Sequence, residues 1–217
     1  MSGLLRKAML FACAGVLAAS SAMAAVPSPA DSDVPCGLNL VGSTGGVADV
    51  RGEFTITVRD LAHNPIAGSS VVIDFNACST DIRICSVQPV AGVTADCSGA
   101  VGEINAVTNG AGAVVLRIVG GARNIASGSP ASPFKCATVY ADGVNLGNIN
   151  VGAYDENASG GVNPADVSVW LPDSFDADYE GRSDFNCSGN INPADLSLLL
   201  GVSLGGGSAT SCSAYCH

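Results

Sequence analysis

At 217 residues the chain has room for one or two domains, and nine Lys+Arg against nineteen Asp+Glu leave a formal charge of −10. No basic face is available for nucleic acid, and 47% hydrophobic residues are too many for a chain kept disordered by its charge. Only 13% charged and 5% aromatic residues, beside 27 glycines, fit an exported, mainly β protein.

Arg6 and Lys7 precede an apolar run from Met9 to Ala19, and Ala22-Met23-Ala24 supplies a small-x-small cleavage pattern. Residues 1–25 are expected to be a signal peptide cut after Ala24 or Ala25, with the mature chain secreted, extracellular or on the cell surface. The run is too short to cross a bilayer and no later segment is longer, so no membrane span is expected in the mature chain. The mature chain keeps seven bases and nineteen acids, a charge of −12. It also keeps eight cysteines, at 36, 78, 85, 97, 136, 187, 212 and 216. An even count in an exported chain reads as disulfides. Cys78 with Cys85 is a plausible short-range pair, and Cys97 with Cys136, and Cys187 with Cys212 or Cys216, are further candidates. Five cysteines precede residue 152 and three follow it. Two odd counts imply a bridge between the segments or two free thiols, and a bridge is the expectation. No C-x-x-C pair supports a thiolate metal site.

From residue 26 to 151 the pattern is strands and turns. Phe54, Ile56 and Val58 alternate with Thr55 and Thr57, the period of a half-buried strand. A turn cluster at Asp60–Gly68 follows, then Val71 to Phe75 and Val101 to Val107. Asn109-Gly110-Ala111-Gly112 is a turn before Ala113 to Val119. Asp142-Gly143 is a two-residue hairpin signal between Cys136–Ala141 and Val144–Val151. Seven or eight short strands point to a β-sandwich. Phe54 to Asp60, Asn64 to Gly68, Val71 to Phe75 and Thr108 to Leu116 together resemble the bacterial Ig-like domains of the invasin/intimin group. The resemblance covers roughly 100 residues and implies a spacer or adhesive module. The cysteine-rich insert from Cys78 to Cys97 departs from that pattern.

Residues 152–217 carry nine acids and one base, Arg182, a net charge of −8, against −4 for residues 26–151. The cause is an internal repeat. Asp155 to Asp166 and Asp184 to Asp195 both read D-x-N-x-S-G-x-(V/I)-N-P-A-D, offset by 29 residues. These are the positions of a twelve-residue Ca²⁺ loop, whose alternate residues point inward at a hard cation wanting six or seven oxygens. Candidate ligands are Asp155, Asn157, Ser159, the Gly161 carbonyl, Asn163 and Asp166. Their counterparts are Asp184, Asn186, Ser188, the Asn190 carbonyl, Asn192 and Asp195. Gly160 and Gly189 stand where the chain must turn sharply. Val162 and Ile191, at position 8, are placed to pair the two loops through a short backbone bridge. A helix is expected after each loop, with Val167, Trp170 and Leu171, and Leu196, Leu199 and Leu200, on one face. Two bound calcium ions would take the segment from −8 to −4. Asp176-x-Asp178-x-Glu180-Gly181-x-x-Asp184 reads either as a partial third loop or as an acidic linker, the latter being the simpler.

A strand rather than a helix leads into Asp155. A duplicated Ca²⁺ loop and following helix, with Asp at position 12, resembles a dockerin domain over residues 152 to about 204. That resemblance implies two calcium ions and a cohesin-type protein partner bound through the helices. Its recognition positions fall on Pro164-Ala165 and Pro193-Ala194, where cellulosomal dockerins often carry hydroxyl residues.

No H-E-x-x-H, G-x-S-x-G or phosphate-loop motif occurs, and the two histidines, His63 and His217, lie in a turn and at the terminus. The expected architecture is mainly β, an Ig-like β-sandwich followed by a small α-helical dockerin-like domain with two calcium loops. The expected function is a secreted, non-catalytic calcium-binding protein whose dockerin-like module attaches the Ig-like domain to a cohesin-like protein or a neighbouring surface protein. The alternative is a structural or adhesive surface protein with the calcium module as an intramolecular cap. A third reading is an accessory subunit in extracellular polysaccharide degradation.

Overall fold

The structure, a computed structural model, describes residues 25–123, 132–175, 180–204, 208–209, 212 and 214–216. The expected signal peptide, apart from Ala25, lies outside the described residues, as do Asp176 and Asp178. No described helix is long and apolar enough to cross a membrane.

The chain is mainly β. In order, the strands are β1 (Gly37–Leu40), β2 (Ser43–Thr44), β3 (Val47–Ala48), β4 (Phe54–Thr57), β5 (Ser70–Asp74) and β6 (Ile82–Ile84). They continue with β7 (Thr94–Asp96), β8 (Glu103–Val107), β9 (Ala113–Leu116), β10 (Gly120–Ala122), β11 (Ala137–Ala141) and β12 (Val144–Ala153). The C-terminal segment holds β13 (Gly161–Val162), helix α1 (Val167–Asp173), helix α2 (Pro193–Ser203) and β14 (Ser208–Ala209). Six strands form one sheet in the order β1-β12-β11-β5-β8-β7, antiparallel except for the β1–β12 pair. The pairs β4–β9 and β6–β10 form separate ladders. Strands outnumber the seven or eight expected: the two-residue hairpin β2–β3 adds a pair, and the cysteine-rich insert itself supplies β6 and β7.

Alternation explains why these ladders close on one core. Leu38 and Leu40 of β1, Ile56 of β4, Val71 and Ile73 of β5, Ile104 of β8, Leu116 of β9 and Ile149 of β12 are all buried in a single cluster. Each such aliphatic side chain contributes about 1.5–3 kcal/mol by leaving water. The turns are set by local chemistry. Asp142 and Gly143 have φ of 47° and 79°, the left-handed pair that a two-residue hairpin requires. The Asp142 carboxylate accepts bonds from the Ser70 N–H and the Ser69 hydroxyl, both at 2.8 Å, which ties the hairpin to β5. In the Thr108–Leu116 stretch, buried Thr108 donates its hydroxyl to the Ile66 carbonyl at 2.7 Å. Gly112 has φ +70°, and a Cβ there would lie 2.7 Å from the Val58 carbonyl oxygen; only glycine fits.

The cysteine pairs differ from the expectation. Cys78 pairs with Cys136, Cys85 with Cys212 and Cys97 with Cys216, at Cα separations of 5.1, 5.4 and 4.9 Å. Cys78, past the end of β5, is neighbour to the start of β11 because those strands pair. Sheet adjacency, not sequence distance, therefore selects the partner. Two of the three bridges tie the β region to the C-terminal tail, and the odd counts are met by one free cysteine on each side, Cys36 and Cys187.

The C-terminal segment shares a second core with the β region. Val41, Ala48, Cys85 and Val119 pack there with Tyr154, Val162, Trp170, Phe185, Leu199 and Val202. Trp170 is core, donating its indole N–H to the Ser183 carbonyl at 3.2 Å. Leu171 is 45% exposed and not part of the buried face, because Asp173 rather than Leu171 turns inward from α1. Tyr154 and Phe185 stack with ring centroids 4.8 Å apart. Polar contacts continue the join. Asn150, on β12, donates to the carbonyls of Gly181 and Asp184, Asn39 donates to that of Phe185, and Arg51 donates to those of Gly201 and Val202.

At the centre of the join lies Arg182, 4% exposed. It meets Glu156 at 3.0 Å, Glu180 at 3.0 Å, Asp173 at 2.8 Å and, from the β region, Asp81 at 3.9 Å. Glu180 is therefore neither a third-loop ligand nor a solvated linker acid. Burial alone would lower the guanidinium pKa, but the four carboxylates outweigh it and hold it above its usual value. Burial pushes the Glu156 carboxyl up to about 8, with Arg182 and the Ser183 hydroxyl pulling the other way. Removing one partner from a buried ion cluster leaves uncompensated charge, typically a loss of about 3–5 kcal/mol. Arg182→Met is expected to destabilise the disulfide-intact protein by that amount in urea unfolding. A loss below about 1 kcal/mol would show that Arg182 does not hold the two segments together.

Candidate metal centre

The two repeat loops fold alike because the same side chains organise the same backbone. In the first, the Ser159 N–H donates to both Asp155 Oδ1 (3.0 Å) and Asn157 Oδ1 (2.9 Å), drawing these two oxygens together. Asp155 Oδ2 accepts from the Gly160 N–H at 3.0 Å. In the second, the Ser188 N–H donates to Asp184 Oδ1 (3.0 Å) and Asn186 Oδ1 (2.9 Å), and Gly189 N–H to Asp184 Oδ2 (2.8 Å). Position 12 closes each loop. Asp166 accepts from the N–H groups of Asn157 (3.1 Å) and Asn163 (2.7 Å), and Asp195 from those of Asn186 and Asn192, both at 3.0 Å.

The turns are left-handed at matching places. Ala158 and Cys187 have φ of 55° and 58°, and Gly160 and Gly189 have φ of 85° and 78°. The αL conformation at position 6 is the reason for glycine there. At position 7, the Gly161 carbonyl accepts from the Asn163 side-chain amide at 2.9 Å, and the Asn190 carbonyl accepts from that of Asn192 at 3.2 Å.

Asn163 and Asn192 have a role the ligand spacing did not reveal. Their Oδ1 atoms accept from the N–H groups of Ala165 and Ala194, both at 2.9 Å, as N-caps of the helical turns that follow. With Asp166 and Asp195 returning the bond to the cap N–H, each site is a complete capping box. The signal was legible, since N-P-A-D is a cap residue, a proline at the first helical position and an acid at the third. The structure thus draws the oxygens of positions 1 and 3 together, turns the hydroxyl of position 5 to the carbonyl of position 7, and gives the oxygen of position 9 a second role at the helix.

Position 8 does not pair the loops. Val162 is buried, but its strand pairs with Ser208–Ala209, while Ile191 packs only as a partly buried side chain in the same cluster. The returning tail, covalently held by Cys85–Cys212 and Cys97–Cys216, takes the place beside β13.

The electrostatics of the loops are unbalanced. Asp155, Asp166 and Asp195 are fully buried and Asp184 nearly so. Burial raises the pKa of Asp155 and of Asp195 and pushes Asp166 up to about 6, with Asp155 repelling Asp166 and Asp184 repelling Asp195. Among the described residues no basic side chain pairs with Asp166 or Asp195. The donors are carboxylate, amide, hydroxyl and backbone oxygens, the set that suits Ca²⁺, and each carboxylate oxygen retains lone-pair capacity beyond its one N–H bond. Among the described residues no three His, Cys, Asp or Glu side chains group as for a metal; each loop brings two acids. His63 is 76% exposed at the side chain and lies 2.9 Å from Asp31.

No protein-family model, curated protein or solved structure matches the chain.

The capping function separates from any metal function by mutation. In chelator, Asn192→Ala is expected to cost about 1 kcal/mol of stability, and Asn192→Asp to keep the cap and most of that energy. Equal losses in both variants by thermal unfolding would show that the Asn192 oxygen is not acting as a cap.

Proposed function

We propose that the chain is a secreted, non-catalytic calcium-binding protein with two dockerin-like Ca²⁺ loops, clamped onto an Ig-like β-sandwich. One observation carries this reading: two loops 29 residues apart repeat the same backbone hydrogen bonds around paired buried carboxylates. Two buried like charges are costly, and a divalent cation between them removes the cost. Asp155, Asn157, Ser159, the Gly161 carbonyl and Asp166 would hold one ion. Asp184, Asn186, Ser188, the Asn190 carbonyl and Asp195 would hold the other, with Asn163 and Asn192 contributing directly or through water. With two carboxylates per loop, affinities around 10⁻⁴–10⁻³ M suit extracellular calcium.

The shared core, the Arg182 cluster and the two bridges to the tail favour the module as a cap on its own β region. Attachment to a cohesin-like or neighbouring surface protein is the second reading. Its supporting observation is that Pro164-Ala165 and Pro193-Ala194 are exposed and not covered by the sheet. A place in polysaccharide degradation rests on the dockerin resemblance alone.

Calorimetric titration of the metal-free protein at pH 7 is expected to show two Ca²⁺ per chain, with Asp166→Asn and Asp195→Asn each removing one. Calcium requires the ionised carboxylate. Because Asp166 is pushed up to about 6, its site should be at full strength above that pH and weaken about tenfold by pH 5. Absence of calcium heat at millimolar concentration would end this reading. A pull-down from envelope extract then divides the two roles: a partner lost in EDTA supports attachment, and none supports the cap.

A further inference from the structure

Among the described residues two cysteines remain outside the three bridges, Cys36 and Cys187. They are not scattered. A Cβ built on Gly37, the residue after Cys36, would lie 3.3 Å from the Cys187 Cβ. One buried residue ties the Cys36 backbone to the stretch of chain before Cys187. Asn150 donates its N–H to the Cys36 carbonyl at 2.9 Å. Its side-chain amide donates to the carbonyls of Gly181 (2.8 Å) and Asp184 (3.1 Å), on the approach to Cys187. The β1–β12 register, Gly37 opposite Asn150, fixes the same relation. Cys36 is exposed and Cys187 only half-buried, so an oxidant has access.

We propose that Cys36 and Cys187 form a fourth disulfide, stapling the second repeat loop, and not the first, to the start of β1. Cys187 stands at position 4, between Asn186 and Ser188, in the left-handed turn of the loop. The matching position of the first loop is Ala158, which has no sulfur to offer. Otherwise near-identical loops thus differ by one covalent tether. In the reaction two S–H bonds break and one S–S bond forms. The two electrons and two protons pass to the disulfide of a disulfide-class oxidant, oxidised glutathione or a protein disulfide, which leaves as two thiols. The bridge restrains local opening of the loop, whether or not metal is present.

The test uses the full mature chain, refolded in a glutathione redox buffer and mapped by non-reducing proteolysis and mass spectrometry. A peptide joining Cys36 to Cys187 is expected. Two alkylatable thiols at these positions, or either cysteine joined elsewhere, would overturn the proposal. Hydrogen exchange in chelator then reads the tether. In Cys36→Ser/Cys187→Ser, the Ser188 and Gly189 N–H groups should exchange at least tenfold faster than in the parent, with Ser159 and Gly160 unchanged. Equal changes in both loops, or none, would remove the stapling role. Neither arm requires calcium binding, so failure here is separate from failure of the calcium reading.

Discussion

Everything in the C-terminal segment depends on how buried carboxylates are compensated. Glu156, Asp173 and Glu180, with Asp81 from the β region, converge on the single guanidinium of Arg182. A guanidinium suits this task because it stays charged and offers five donors in a fixed fork. One positive charge serves four acids, so the cluster is overdrawn in negative charge, and burial raises Glu156 and Asp81 accordingly. The net free energy of such a cluster is small, but the cost of disrupting it is large. It therefore acts less as a source of stability than as a register mark. Only one docking of the repeat segment on the β layer brings Asp81 to Arg182.

The loops pose the same electrostatic problem, eased at Asp155 by the nearby Arg83, which also donates to the Ala158 carbonyl. There the backbone supplies the first compensation, with every oxygen of Asp155 and Asp166 facing an N–H of its own loop. Those bonds shape the turn but carry no net charge, so repulsion between the two acids persists. Arg182 and the proposed cations are thus two solutions to one constraint. Glu156, next in sequence to Asp155, belongs to the first, and Asp155 to the second. Adjacent acids point to opposite sides of the same backbone, one into the join and one into the loop. Metal binding at the proposed sites would therefore be coupled to docking: the chain that positions the candidate ligands also positions the acids that clamp the segment.

What was legible in the sequence was local. Period-2 alternation from Phe54 to Val58, the Asp142-Gly143 turn and the 29-residue offset between loops all depend on residues a few positions apart. Their geometry follows from backbone sterics and turn chemistry. The cysteine pairs were misread because Cys78 meets Cys136 only through the β5–β11 pairing, 58 residues away in sequence. Arg182 stood out as the one base among nine acids, yet nothing near it in sequence names Asp81. Asn163 and Asn192 were assigned by ligand spacing alone, when the same four residues also spell a helix cap. Their side-chain oxygen accepts the nearby N–H of Ala165 or Ala194 and still keeps a second lone pair.

The clamp also bears on attachment. A dockerin-type module that folds by itself presents its helices on any side. Here one side of α2 is committed, since Leu199 and Val202 lie in the core shared with Val41 and Val119. The opposite side, with Ala194, Ser197 and Leu198, is open, as is the start of the helical turn at Pro164-Ala165. Any partner of the proposed attachment role would thus be restricted to the helix starts and one flank of α2. The two-fold equivalence of the repeats is also lost for binding. Among the described residues, Arg51 reaches the end of α2 with no counterpart at α1, and the tail pairs with Val162 but not with Ile191. Sequence symmetry of the loops would permit two docking orientations; the asymmetric seat of the segment on the β layer makes the two faces chemically distinct and favours one.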